Sequence, residues 1–192
     1  FVPVLILPIV GILFAFASIF TNSRVYNLIP FLNNGVFINF GKILGQSLIP
    51  IIGTYLGILF TVGIAIGMAK KEKHYAALVA MLSYFVFIHS MNVYMGIQNL
   101  ILPLSELRGS GHTIMMGIQI IDMGIFLGIA LGLIVAYVHN KFIDVELKGA
   151  LQIYGGSRLV FIVLSFTMIL LAIISTHIWP IVQHGINTLS IF

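Results

Sequence analysis

Residues 119–138 read QIIDMGIFLGIALGLIVAYV, a stretch in which Asp122 is the only charged side chain. A helix needs about 20 predominantly apolar residues to cross the hydrocarbon core of a bilayer, and only internally hydrogen-bonded backbone is stable there. The stretch therefore predicts a membrane-spanning helix, and it identifies lipid as the solvent in which the chain folds.

Four further segments of similar length and apolarity flank this one along the chain. Between the first two spans, residues 31–46 carry too many polar side chains to cross the bilayer, among them Asn33, Asn34 and Lys42, and they predict an interfacial amphipathic segment. The predicted fold is an all-α integral membrane protein with about five transmembrane helices, at residues 2–20, 48–69, 75–95, 119–138 and 159–179.

Composition excludes several classes of protein. Hydrophobic residues make up 60% of the chain and charged residues only 7%, whereas soluble domains carry roughly 25% charged residues. The formal net charge is +4, but the basic residues are scattered between apolar runs and form no face for nucleic acid. The absence of cysteine rules out disulfides, thiol nucleophiles and thiolate metal sites.

The distribution of Lys and Arg predicts the orientation, because short cytoplasmic loops retain positive charge. One side holds Arg24, Lys42 and Arg108, and we expect it to face outward. The loops after the second and fourth spans hold the other six of the nine, which places the N-terminus in the cytoplasm: Lys70, Lys71, Lys73, Lys141, Lys148 and Arg158.

Two of the spans carry small residues at helical spacing, which lets another helix approach closely. Such faces have two interpretations, packing within one bundle and dimerisation between copies of the chain. The glycines concerned are Gly53, Gly57, Gly63 and Gly67 in the second span and Gly124, Gly128 and Gly132 in the fourth.

Three polar residues are candidates for function. Asp122 lies within a predicted span, where a carboxylate is costly unless paired or hydrated, so its role is either structural anchoring or proton and substrate handling. His139 and Arg158 lie in the basic loops, and a Gly155–Gly156 pair before Arg158 suggests either an anion cradle or an ordinary turn. No residue is assigned a catalytic role, and neither a metal site nor a cofactor is expected.

His89, in the third span, is expected to be a hydrogen-bonded histidine of the bundle interior, because Ser90 and Asn92 are close to it in sequence.

Several motifs occur in a characteristic order along the chain. The opening Pro3-Val4-Leu5 through Ile12 is followed by ILFTVGIAIGMAK at residues 58–70 with Ala76-Ala77-Leu78. Next come GSGHTIMMGI at residues 109–118 and His139-Asn140-Lys141-Phe142, then Gly156-Ser157-Arg158 and Trp179-Pro180. Together they resemble the enzyme IIC permease of the glucose superfamily in the phosphoenolpyruvate:sugar phosphotransferase system, and more closely its α-glucoside and maltose branch.

The resemblance implies the N-terminal half of such a permease. In that family the first half forms chiefly the dimerisation scaffold, and the sugar-binding motifs lie in the second half, which these 192 residues do not contain. The expected function is transport of an α-glucoside, maltose-like, or of glucose across the bacterial cell membrane, with phosphoryl transfer performed by the partner enzyme IIB.

The implied partners are the sugar, enzymes IIB and IIA, a second copy of the chain and the lipid bilayer. The alternatives are an ion-coupled transporter that uses Asp122 and a non-transporting membrane scaffold or receptor derived from a truncated permease.

Overall fold

The computed structural model describes residues 2–189, except the side chains of residues 2–5, 187 and 189. The chain forms helices almost throughout and divides into two compact units, Phe1–Leu56 and Gly57–Phe192. Four of the described helices are long and apolar enough to cross a membrane. The prediction of an all-α membrane protein is thus confirmed.

The first unit is built around two antiparallel helices, α1 (Val2–Ile19) and α3 (Gly35–Ile52), joined by the short α2 (Ser23–Leu28) and a 3-10 turn at Pro30–Leu32. The linker is ordered by Asn side chains, because Asn22 and Asn34 accept hydrogen bonds from amides two residues later at the start of α2 and α3. α1 and α3 approach closely at Gly41, where a Cβ atom would lie 2.9 Å from the Ala17 carbonyl oxygen.

The second unit contains α4 (Leu56–Met68), α5 (Lys73–Ile97), α6 (Gly124–Phe142) and α7 (Ser157–Leu189). α4 and α6 run parallel to each other, and α5 and α7 run parallel to each other in the opposite direction. Four fully buried side chains at its core are Tyr84, Phe87, Leu131 and Leu164. The basic loops all lie at one end of this unit, which we call the charged end.

A two-stranded antiparallel hairpin precedes α6, formed by β1 (His112–Met115) and β2 (Ile118–Ile121). Its turn residues, Met116 and Gly117, have φ angles of 51° and 82°, as a type I′ turn requires. The predicted fourth span therefore began too early, because residues 119–121 belong to this strand and the helix starts at Gly124.

The predicted second span, residues 48–69, is divided in the structure. α3 ends at Ile52 and α4 begins at Leu56, with a turn between them. Pro50, inside the last turn of α3, lacks the N–H that would continue the helical ladder. The segment predicted to lie at the interface, residues 31–46, mostly belongs to α3, one of the helices long enough to cross a membrane.

Candidate functional site

The glycines of α6 lie directly against α4 of the same chain. A methyl group at Gly128 would overlap the carbonyl oxygen of Gly57, and one at Gly132 would lie 2.8 Å from Cβ of Ile64. The buried Thr61 hydroxyl completes the contact, 3.0 Å from the Gly57 carbonyl oxygen and 3.2 Å from that of Gly128. Gly128 and Gly132 thus permit close packing within the chain.

The other predicted packing glycines have varied surroundings. A methyl group at Gly57 would lie 2.7 Å from the Tyr84 hydroxyl oxygen, and Gly63 is buried. Gly67 has open space around it. Gly53 follows the last residue of α3, and Gly124 has a φ of +50° at the first residue of α6.

At the charged end, the last turn of α6 holds the turn that follows α4. Asn140 accepts a hydrogen bond from the Lys70 N–H at 2.8 Å and donates one to the Met68 carbonyl oxygen at 2.9 Å. Lys71 forms an exposed ion pair with Asp144 at 2.8 Å, a contact of small energetic value in solvent. We call the contacts of Asn140 and its neighbour His139 with this turn the α4–α6 clamp.

His139 is the buried member of the clamp. Its Nε2 lies 2.9 Å from the Lys71 carbonyl oxygen, and because a carbonyl only accepts, Nε2 must carry the proton. Nδ1 has no hydrogen-bond partner among the described atoms. The side chain is fully buried, so the geometry gives His139 an anchoring position.

Arg158 is exposed at the first turn of α7, and one of its guanidinium N–H groups donates to the Ile153 carbonyl oxygen. The neighbouring glycines form no amide cradle, because Gly155 N–H donates to Gln152 and Gly156 N–H donates to Val145. Of the anion site suggested by the sequence, only the guanidinium remains available.

Asp122 lies just before α6, whereas the sequence placed it within the fourth predicted helix. It is exposed between β2 and α6, and its carboxylate accepts a hydrogen bond from the Gly124 N–H at 3.0 Å. Its backbone carbonyl accepts another from the Trp179 indole N–H at 2.9 Å. The carboxylate therefore satisfies a free amide at the helix start.

His89 was expected inside the bundle, and this expectation is wrong: it is exposed on the surface of α5 in the second unit. The histidine that pairs with α5 is instead His177 of α7, whose Nε2 lies 2.8 Å from the Tyr94 hydroxyl. Residues so distant in sequence meet because α5 and α7 lie side by side.

A polar network at the end opposite the charged end was not predicted. Gln119 of β2 is buried, and its side chain accepts a hydrogen bond from the Leu102 N–H at 3.2 Å and donates one to His112 Nδ1 at 3.0 Å. Its backbone carbonyl accepts from the Asn92 amide at 2.8 Å. Partial burial lowers the pKa of His112 below its ordinary value of 6.5. The network fastens the hairpin to α5.

No three His, Asp or Glu side chains converge into a metal-binding group within the described part of the chain. The polar contacts described above join one structural element to another. The described second unit is a packed membrane-helix bundle with polar contacts between its elements at both ends.

Comparison with known proteins gives the family. The sequence profile described as "Phosphotransferase system, EIIC" matches residues 1–192. The chain belongs to this family. The prediction of an enzyme IIC chain of the glucose superfamily is thereby confirmed, and this EIIC chain is a multi-pass membrane protein.

One relative is the "PTS system glucose-specific EIICBA component" of Staphylococcus carnosus (strain TM300), which is 31% identical over 188 residues. The alignment covers 98% of this EIIC chain and 27% of the relative. The chain thus spans about a quarter of the length of the curated relative that it matches.

Proposed function

We propose that this EIIC chain is part of a sugar permease of the phosphotransferase system, which moves a sugar across a bacterial cell membrane while enzyme IIB phosphorylates it. The observation that carries the proposal is the match to the EIIC family over residues 1–192. The predicted orientation, with the N-terminus and the charged end in the cytoplasm, would present the basic loops on the side where the phosphoryl donor acts.

The sugar contains a glucosyl unit, either as glucose itself or as an α-glucoside such as maltose. Glucose is favoured by the name of the Staphylococcus relative, a glucose-specific component. An α-glucoside is favoured by the likeness of residues 109–118 and of His139-Asn140-Lys141-Phe142 to that branch of the family. Both sugars therefore belong in the test.

Within the permease, this EIIC chain serves as the scaffold half, against which a transport half moves. Its second unit suits that role, because two features resist relative movement of its helices. One is the close packing of α6 on α4 at Gly128 and Gly132, which we call the α4–α6 seam, and the other is the α4–α6 clamp. The role needs no catalytic residue in this chain, since the phosphoryl group passes from enzyme IIA to enzyme IIB and then to the sugar.

The scaffold half also forms a homodimer in this proposal. The interface lies outside Gly128 and Gly132, because these two positions are already occupied by α4 of the same chain. Apolar side chains that α6 leaves exposed, such as Phe126, Leu133 and Tyr137, are available for contact with lipid or with a second copy.

The test is uptake by cells that lack their own glucose and maltose permeases and express the complete natural gene. Radiolabelled glucose and maltose are supplied separately, and intracellular sugar phosphate is measured. We expect accumulation of one phosphorylated sugar that depends on phosphoenolpyruvate and on enzyme IIB. Uptake of unphosphorylated sugar driven by a proton gradient would reject the proposal in favour of an ion-coupled carrier.

A further inference from the structure

A groove of about 710 Å³ opens at the charged end between the first turns of α5 and α7. Its walls are mainly apolar, formed by Leu78 and Leu82 of α5 and by Phe161 and Ile162 of α7. Two tyrosines, Tyr75 and Tyr154, also line it, together with Arg158. The groove therefore combines an apolar floor with a single full charge.

That charge is available for a ligand. The guanidinium carries five N–H donors, and its hydrogen bond to the Ile153 carbonyl oxygen uses only one nitrogen, Nη1. None of the groove-lining residues is acidic. Among the described residues, no carboxylate lies within ion-pair distance of Arg158, since the ion pairs found join Lys71 to Asp144 and His74 to Glu72.

The walls of the groove belong to α5 and α7, two helices long and apolar enough to cross a membrane, which would bring the groove beside the acyl chains of the surrounding lipid. Leu78 and Ile162 remain 48% and 39% exposed, which leaves apolar surface for an acyl chain to cover. Tyrosines are enriched at the level of the lipid headgroups, which is where Tyr75, in the first turn of α5, and Tyr154, just before α7, would lie.

We propose that this groove binds an anionic phospholipid. The headgroup phosphate accepts hydrogen bonds from the Arg158 guanidinium, and an acyl chain lies along Leu78, Leu82 and Ile162. Basic pockets between membrane helices select anionic headgroups. A water-soluble protein partner fits less well, because the walls are apolar side chains of α5 and α7, two helices long and apolar enough to cross a membrane.

The experiment measures lipid retained by the complete natural permease, purified in detergent and mixed with equal amounts of phosphatidylglycerol and phosphatidylcholine of identical acyl chains. Native mass spectrometry counts each bound lipid. A cationic side chain near the headgroups contributes about fivefold in affinity for an anionic lipid. We therefore expect about fivefold enrichment of phosphatidylglycerol on the wild type.

Arg158→Gln should reduce this enrichment to near parity, whereas Arg158→Lys should retain most of it because the positive charge remains. Lys148→Gln is the matched control: Lys148 is exposed in the same loop and does not line the groove. If Arg158→Gln fails to fold, Leu78→Trp, which obstructs the groove and leaves the charge in place, provides the second test and should lower retention of both lipids.

Equal retention of the two lipids by the wild type would overturn the proposal. So would an enrichment that Arg158→Gln leaves unchanged, a total lipid retention that Leu78→Trp leaves unchanged, or an enrichment that Lys148→Gln abolishes equally. Unchanged lipid retention in Arg158→Gln with weakened binding of enzyme IIB would also overturn it and identify the groove as a protein-docking site. Displacement of the lipid by millimolar inorganic phosphate would show a site for free anions instead.

Discussion

Asn140 Oδ1 accepts a hydrogen bond from the backbone N–H of Lys70 at 2.8 Å, although the two residues are 70 positions apart in the chain. The same side chain donates to the Met68 carbonyl oxygen at 2.9 Å. One amide thus satisfies a donor and an acceptor where α4 ends, a place where helical carbonyl groups lack intrahelical partners. This contact ties the end of α4 to the end of α6.

Removing this amide should destabilise the second unit. Asn140→Ala loses both hydrogen bonds, at about 0.5–1.5 kcal/mol each, so we expect the free energy of unfolding to fall by about 1–3 kcal/mol. Denaturant titration of the detergent-purified protein measures the change. Asn39→Ala is the control, because Asn39 is exposed on α3, and an equal loss in both variants would contradict the role of the clamp.

The seam between α4 and α6 predicts a sharp difference between two glycines. Gly128→Ala places a methyl group into the Gly57 carbonyl oxygen, and such overpacking typically costs about 1–3 kcal/mol. Gly67→Ala meets open space and should be neutral or stabilising, because Ala favours helix by about 1 kcal/mol over Gly. The melting temperatures of the two variants are compared by thermal unfolding. Similar values would contradict close packing of α6 on α4 at Gly128.

The hydrogen bond between Gln119 and His112 in the hairpin predicts that the stability of the protein depends on pH. Because burial lowers the pKa of His112 below 6.5 in the folded protein, the unfolded chain binds the proton more readily. The contribution of His112 is complete above about pH 6.5 and decreases as the pH falls through the lower pKa of the folded state. Protonation also removes the Nδ1 acceptor that Gln119 uses.

His112→Gln should therefore flatten part of the rise in melting temperature between pH 5 and pH 7. Melting temperatures are compared at several pH values, with pH 8 as the reference where His112 is neutral in both states. Identical pH profiles for the wild type and His112→Gln would contradict the predicted linkage. The pKa itself can be measured from the histidine ring signals by nuclear magnetic resonance.

Asp122 provides a test between transport mechanisms. Its carboxylate accepts a hydrogen bond from the Gly124 N–H, a function that an Asn side chain also performs. Asp122→Asn in the complete permease should keep sugar phosphorylation within about twofold of wild type, while Asp122→Ala should lose roughly 0.5–2 kcal/mol of stability with the lost cap. Abolished uptake in Asp122→Asn, with normal folding, would point to a proton-handling carboxylate instead.

The long spans were predicted well because their apolar length alone determines them. The third predicted span, residues 75–95, corresponds to α5, which extends two residues further at each end. The fifth, residues 159–179, corresponds to α7, which begins two residues earlier and continues ten residues further, to Leu189. The hairpin was missed because its apolar strand β2 adjoins α6 and lengthened the apolar run. The turn at Met116 and Gly117 was the available signal, and it is weak because Met rarely adopts positive φ.

Most of the polar contacts could not be predicted from the sequence. His139 was a candidate because of its motif, but its partner is a backbone carbonyl at Lys71, which any residue supplies. Arg158 was likewise found by its motif, while the groove beside it depends on how α5 and α7 pack. Glycine spacing indicated close helix packing, yet only the structure identifies α4 as the neighbour of Gly128.

The break between α3 and α4 has a consequence for the way the chain crosses the bilayer. α4 has 13 residues and a length of about 20 Å at 1.5 Å per residue, against a hydrocarbon thickness of about 30 Å. As a helix, α4 is therefore too short to span that thickness, and the non-helical turn at residues 53–55 directly precedes it. In that turn the amides of Gly53, Tyr55 and Leu56 donate to the carbonyl oxygens of Ile49, Pro50 and Gly53, so most of its backbone donors are satisfied without water, as backbone near lipid requires.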